Sequence, residues 1–239
     1  MANDNNVSKR SAKRYVLRED IKEHLIDAIL RGRYKPGDRL AEAKLAREFG
    51  VSQSPIREAL RDLEMMGFVE SVPFSGSFVR DLSLQDMLDT YAVRAWMEAM
   101  AGRLATPNLT EDVFARLEML LERMMSHAQK DDSHEFVKAD FAFHQTIVAA
   151  AGNNTLIRLY DMLQFAYWTY ASTILTGYNL VFQARRHYKI LDALNTGDPD
   201  LIARTLQDHI EELIDRITAH YSERQAQSEC DSAAKVEKP

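Results

Sequence analysis

The placement of glycine and proline constrains this chain more than any other feature of its sequence. Only 9 of 239 residues are Gly and 6 are Pro, together roughly half the usual share. Eight of them fall in the first 80 residues and seven in the 159 that follow. A chain so poor in turn formers cannot be built from many short strands, and the uneven spread predicts a small, turn-rich module followed by a larger domain of long helices. Charge divides at the same point. Residues 1–80 carry 15 Lys and Arg against 12 Asp and Glu, and the remainder carries 15 against 24, so the net charge of −6 is the sum of +3 and −9. A basic module joined to an acidic one assigns a polyanionic partner to the first alone.

With 46% apolar residues the chain can bury a substantial core, which excludes disordered and fibrous classes. Its single cysteine, Cys230, sits in a polar tail and leaves no intrachain disulfide to form. No apolar segment opens the chain and no run approaches 18 apolar residues, so the expectation is a soluble, cytoplasmic protein without membrane association. Residues 1–11 and 224–239 are polar and read as disordered tails.

Between the tails, Ile21, Leu25, Ile26, Ile29 and Leu30 recur at helical spacing until Gly32 and Pro36-Gly37 break the pattern. A short second helix is expected over 40–49, with Leu40, Leu45 and Phe49 inward and Gly50 closing it. In the third, Ser52 or Ser54 caps, Pro55 is tolerated in the first turn, and Ile56, Leu60 and Leu63 face inward. Residues 68–72 alternate as a strand, 73–76 read as a turn, and 77–80 return as a second strand. Residues 12–80 therefore read as a winged helix-turn-helix. Over 82–223 the signal is purely helical, with helices near 83–106, 110–130, 134–151, 153–176, 180–196 and 198–222. Their short connections favour an all-α antiparallel bundle of six helices, or seven. The fold class is mainly α.

The first module carries Pro36-Gly37, Leu40-Ala41-Glu42, Leu45-Ala46, Gly50-Val51-Ser52, the run Ser54-Pro55-Ile56-Arg57-Glu58-Ala59-Leu60, Gly67 and Gly76, in order and without gaps. Along this whole stretch it resembles the DNA-binding domain of GntR-family transcription regulators. A helix that offers Ser52, Gln53, Ser54 and Arg57 in its first turns can present side chains to base edges and free amides to phosphates. The resemblance implies that Arg57 contacts DNA and that the wing, with Ser75, Gly76 and Ser77, approaches the minor groove or backbone. Arg39 and Lys44 read either as phosphate contacts or as ordinary solvated charges. The family most often has Arg where this chain has Gln53, and Gln pairs with adenine rather than guanine, so a departure in operator sequence is expected. One recognition helix reads too few base pairs for useful specificity, which leads to the expectation of a homodimer on a short inverted repeat of double-stranded DNA.

In the second module, charge falls where apolar side chains belong. Asp140 and His144 lie inside the stripe Val137, Phe141, Ile147 and Val148. His209 lies within Ile202, Leu206, Ile210, Leu213 and Ile217, and His187 shares a face with Ile190, Leu191 and Leu194. Each histidine alone could simply bond a carbonyl. Asp140, however, needs a partner if buried, and three imidazoles and a carboxylate around a divalent cation satisfy all four residues at once.

From Leu82 to about His220 the chain resembles the FCD domain, the effector-binding domain of the FadR branch of GntR regulators, through Asp140-Phe141-Ala142-Phe143-His144, Gly152-Asn153-Asn154, His187, Ala193-Leu194-Asn195-Thr196-Gly197-Asp198 and His209. The resemblance implies that Asp140, His144, His187 and His209 are metal ligands, with Zn²⁺ first and Ni²⁺ or Mn²⁺ as alternatives. Arg94 and Glu98, one turn apart, are candidate contacts for a small carboxylate effector, or else an i, i+4 pair that merely holds the helix. The expected function is a ligand-responsive transcription regulator, a repressor, and not an enzyme. The competing readings are a constitutive DNA binder with a structural metal and a metalloenzyme; no HExxH motif or nucleophile elbow supports the latter.

Overall fold

The structure is a computed structural model that describes residues 4–81 and 83–236, with side chains described over 17–81 and 83–223. The chain divides into two compact units between Leu82 and Ser83. In the first unit, α1 (Asp4–Leu30), α2 (Glu42–Glu48) and α3 (Gln53–Met65) precede a hairpin of β1 (Val69–Val72) and β2 (Gly76–Val79). Ile21, Leu25, Ile26 and Ile29 from α1, Leu45 from α2, and Ile56, Leu60 and Leu63 from α3 are buried together with Phe68 and Val79 of the hairpin. The strands pair antiparallel, with Val69 opposite Val79 and Val72 opposite Gly76.

Helix α2 begins two residues later than its apolar spacing predicts. Leu40 is instead tied to the wing, its amide donating to the Ser77 carbonyl at 2.8 Å, while Arg39 and Phe78 form an isolated bridge. Arg39 crosses the face of Gly76, whose φ is +107°; a Cβ there would lie 3.2 Å from Arg39 Nε. The backbone conformation favours glycine at Gly76, and a side chain there would also press on the Arg39 guanidinium. At the hairpin tip Phe74 takes φ 63° with its ring fully exposed, a conformation uncommon for an aromatic residue.

The second unit is helical throughout its described residues: α4 (Leu84–Ala105), a 3₁₀ turn (Thr106–Asn108), α5 (Glu111–Gln129), α6 (Ser133–Ala150), α7 (Asn154–Leu163), α8 (Phe165–Thr176), α9 (Leu180–Thr196) and α10 (Pro199–Val236). Starts are specified locally. Ser83 and Asp86 form a reciprocal capping box, and Thr110, Asp132, Asn153 and Asn179 accept from first-turn amides of the helices they open. Helix α10 packs along α4, with Ile202, Leu206, Ile210, Leu213 and Ile217 all buried.

The single helix expected over 153–176 is two helices, broken at Gln164 with φ 50° and ψ 47°. Along a continuous helix Tyr160 and Phe165 would point about 140° apart, five steps of about 100° each. The break turns both into one core, where they are fully buried with ring centroids 4.9 Å apart. Helical backbone also runs from Asp4 and on to Val236, into both segments that read as disordered tails, because neither 4–11 nor 224–236 contains a Gly or Pro to stop it. Residues 1–3 and 237–239 and the side chain of Cys230 lie outside the described residues.

Candidate functional site

Helices α4, α6, α9 and α10 bring seven polar or charged side chains into the core of the second unit: Arg94 and Glu98, Asp140 and His144, Arg186 and His187, and His209. Isolated buried charges are strongly destabilising, so the pairing decides what the cluster is. Arg94 Nε donates to Glu98 Oε1 at 2.6 Å, and its Nη1 donates to Thr169 Oγ1 at 2.8 Å. The Tyr160 hydroxyl donates to the same Glu98 oxygen at 2.8 Å, and His144 Nδ1 lies 2.6 Å from Glu98 Oε2. Burial works to raise the Glu98 carboxyl, but His144 and Arg94 bring it down to about 2. Asp140 Oδ1 lies 3.1 Å from His187 Nε2. Its buried Oδ2 has no hydrogen-bond partner among the described residues, and Arg94 Nη2 stands 3.8 Å away. Burial opposes ionisation of Asp140 as well, yet His187, His144 and Arg94 hold it well below the usual carboxylate range.

The imidazoles follow from these contacts. His187 Nδ1 faces the carbonyls of Gln183 at 3.1 Å and Ala184 at 3.3 Å, so Nδ1 donates to the backbone and Nε2 is left facing the interior of the cluster. The short contact of His144 Nδ1 with Glu98 likewise leaves its Nε2 facing inward, and the two Nε2 atoms lie 3.2 Å apart. His187 Nε2 thus stands between the Asp140 carboxylate and His144. His209 closes the group, its ring centroid 4.6 Å from that of His187 and 5.2 Å from that of His144, and one nitrogen from each of the three rings lies within 4.8 Å of the others. Burial, the leading cause for both, pushes His187 and His209 below the ordinary histidine value and keeps them neutral.

The three imidazoles fit a divalent cation; Asp140, the fourth ligand expected from the sequence, is not in that group and adjoins it through His187. Metal–nitrogen bonds of about 2.0–2.1 Å put neighbouring ligand atoms about 3.0–3.4 Å apart, a range that includes the 3.2 Å separation of His144 and His187 Nε2. The carbonyls behind His187 and the carboxylate behind His144 are the outer partners that fix the tautomer of ligating histidines. Glu98, a candidate effector contact by sequence, stands behind His144 with its oxygens engaged by three groups. Arg94 instead lines a small cavity of about 20 Å³ together with Asp140, Thr169, Tyr178, His187 and His209. A second cavity of about 390 Å³ opens between α9 and α10, and Arg186 and His209 line both.

In the first unit the structure leaves Arg39, Lys44, Ser52, Gln53, Ser54, Arg57, Ser75 and Gly76 all exposed. Ser52 occupies the N-cap of α3 without a side-chain capping bond, so its hydroxyl leaves the first-turn amides uncapped. Lys44 Nζ lies 6.0 Å from the centre of the Tyr34 ring. Arg57 is held by Glu42: Nε lies 3.0 and 3.1 Å from the two carboxylate oxygens, and Nη2 lies 2.8 Å from Oε2.

Residues 17–79 match the family described as bacterial regulatory proteins, gntR family, and residues 89–212 match the FCD domain. The chain belongs to the GntR family. Among its relatives is the protein named probable D-xylose utilization operon transcriptional repressor of Paenarthrobacter nicotinovorans, 31% identical over 82% of this chain and 87% of that one. Another is the Nta operon transcriptional regulator of Aminobacter aminovorans, 30% identical over 77% and 86%. The structure of E. coli McbR/YncC superposes with a TM-score of 0.69 over 86% of this chain and 98% of that one, at 23% identity. This GntR protein is accordingly a DNA-binding transcription regulator with a helical FCD domain, and the family is not one of enzymes. Among the described residues no helix is long and apolar enough to cross a membrane.

Some members of both sites escape a reading of spacing alone. Arg186 lies one residue off the inner stripe of α9, and Tyr160 and Thr169 present apolar bodies with polar tips. Glu42 meets Arg57 across 15 residues of sequence and two helices, a pairing no periodicity encodes. Of the aromatic side chains of α8, Phe165, Trp168 and Tyr170 are buried and Tyr167 is half-buried.

Proposed function

We propose that this GntR regulator is a homodimeric repressor of a short inverted repeat, and that a small organic acid bound at a metal centre of Asp140, His144, His187 and His209 controls its operator affinity. The observation that carries the reading is the gathering of His144, His187 and His209, one ring nitrogen of each within 4.8 Å of the others, with Asp140 Oδ1 3.1 Å from His187 Nε2. A divalent ion bound there, Zn²⁺ first with Ni²⁺ or Mn²⁺ as alternatives, supplies a Lewis-acidic centre that a carboxylate oxygen can ligate. The surrounding charges favour an anion. Arg94 and Arg186 stand against Glu98, Asp140 and Glu212, so a bound dication leaves an excess of one positive charge. Arg94 Nη2, held only at 3.8 Å from Asp140, and the Tyr178 hydroxyl, which has no hydrogen-bond partner among the described residues, are donors available to such a ligand. Because four helices contribute to the site, an acid that binds it can favour one arrangement of the bundle over another, and regulation requires that the two arrangements differ in operator affinity.

Dimerisation is supported by an apolar face. Val93, Trp96 and Met100 on α4 and Leu159, Met162 and Leu163 on α7 are exposed, flanking a core cluster to which both helices contribute Met97, Tyr160 and Ile157. We assign this face to the second copy; Trp96→Glu should shift sedimentation towards the monomer.

Elemental analysis of undialysed protein and thermal shift with added divalent ions test the metal. A panel of mono-, di- and hydroxycarboxylates, scored by melting temperature and by release of a duplex recovered from a randomised pool, tests the effector. Absence of metal together with no thermal shift sinks the reading. A second reading, a structural ion in a constitutive DNA binder, is favoured by the inner cavity of only about 20 Å³, room for about one water; under it the metal stabilises the protein and no acid releases DNA.

A further inference from the structure

The Glu42–Arg57 pair is built more closely than a surface ion pair needs to be. Glu42 opens α2 and Arg57 lies in the second turn of α3, so the pair fastens the recognition helix to the helix before it. Both groups are solvent-accessible, with side-chain exposures of 32% and 54%, and pairs so exposed contribute little to stability. What the contact does is orient. An arginine carries five N–H donors. Glu42 takes those on one long edge of the guanidinium, from Nε and from Nη2. Three N–H groups remain, two on Nη1 and one on Nη2; one from each Nη lies parallel to the other along the end of the side chain, and that pair is the fork that meets O6 and N7 of guanine. The pair is also net neutral, which removes Arg57 from the pool of cations that a phosphate backbone attracts without regard to sequence. Each group supports the charged form of the other: Glu42 is held below the ordinary carboxyl value first by its hydrogen bond from Arg57, and Arg57 is raised first by the same bond.

We propose that Glu42 is a positioning residue that determines specificity, holding Arg57 end-on for one guanine in each half-site and withholding it from phosphates. This rests on the reading of Arg57 as a base contact.

The test uses full-length protein, selection from a randomised duplex pool, and salt titrations on the selected duplex and on an unrelated one. Glu42→Gln should relax the preference for guanine at one position per half-site by roughly tenfold, the scale of one bidentate base contact. It should also raise affinity for the unrelated duplex at low salt and steepen its salt dependence by about 0.9 in log K against log salt, the signature of one added phosphate contact. A merely structural pair would give neither gain. Arg57→Ala should lose the same guanine, and in that background Glu42→Gln should change nothing further. If Glu42→Gln leaves both the selected sequence and the salt slopes as in the parent while Arg57→Ala loses the guanine, the proposal falls and the base-contact reading stands. If Arg57→Ala keeps the guanine, the reading falls and the proposal with it. A full effect of Glu42→Gln in the Arg57→Ala background overturns the assignment of Glu42 as acting through Arg57.

Discussion

Glu98→Gln separates the roles of the buried carboxylate without changing its shape. Glu98 faces three groups: His144 Nδ1 at 2.6 Å, Arg94 Nε at 2.6 Å and the Tyr160 hydroxyl at 2.8 Å. A glutamine has one acceptor oxygen and one donor NH₂ in place of two acceptors. If the NH₂ turned towards Arg94, two donors would face each other; turned towards His144, it leaves the remaining oxygen to Arg94 and Tyr160, and that arrangement wins. The glutamine is neutral in either orientation, so the buried Arg94 guanidinium loses its charged partner and the metal-free variant should be destabilised by about 3–5 kcal/mol. Metal binding should weaken by about 10–100-fold, the usual cost of losing an outer partner of a ligating histidine, or about 1.4–2.7 kcal/mol. Competition titration against a fluorescent zinc chelator measures the affinity, and calorimetry of chelator-treated protein the stability. Undiminished zinc affinity in the variant would refute the link between Glu98 and the His144 tautomer. A metal-free variant as stable as the parent would refute the dependence of Arg94 on the Glu98 charge.

Gly102 admits the close approach of α10 to α4: a Cβ there would lie 2.8 Å from Ile202 Cγ2 and closer still to Leu206 Cδ1. Gly102→Ala gains about 1 kcal/mol of helix propensity against about 1–3 kcal/mol of overpacking, so the melting temperature should fall by about 2–4 °C per kcal/mol of net loss, and a rise would contradict the packing. Burial depresses His187 and His209 below 6.5, so below that pH the unfolded chain binds more protons than the folded one. Metal-free stability should accordingly be flat above about pH 7 and fall on acidification through 6.5, and calorimetry that finds it rising there would reverse the sign. Gln53→Arg should shift one position of each half-site from adenine towards guanine, and an unchanged outcome of selection would remove Gln53 from the readout.

The winged helix was legible because its core is local. Ile21 to Ile29, Ile56 to Leu63 and the alternation at 68–72 each declare their period within one element, and the turn residues between them leave little choice of connection. The buried polar cluster was legible for the opposite reason: a carboxylate and three imidazoles interrupt apolar stripes, where burial is tolerable only if they partner one another or a shared ligand. What spacing could not give is anything decided by two distant elements at once. Gln164 carries no signal for a left-handed backbone, which Gly or Asn would have given; the break follows from the demand that Tyr160 and Phe165 fill one core. The role of Glu98 was ambiguous because an Arg94–Glu98 pair at i, i+4 looks alike whether it serves the helix, a ligand or, as found, a histidine on α6. The break and the buried acid are settled by tertiary packing overriding local preference.

The burial that makes the histidine cluster a good ligand set also makes it a poor core. An apolar replacement of the same volume would not bury three imidazoles against one another, nor require a carboxylate oxygen to go without a hydrogen bond. A ligand that relieves these costs in the folded state, and cannot find the same atoms assembled in the unfolded one, stabilises the domain by mass action, by about 4 kcal/mol at a thousandfold excess over its dissociation constant. Because α4, α6, α9 and α10 each supply part of the cluster, that energy is distributed over the helices that form most of the bundle rather than over one loop. On the proposed function, occupancy of the site and rigidity of the domain are the same equilibrium, and an acid that changes the first changes the second.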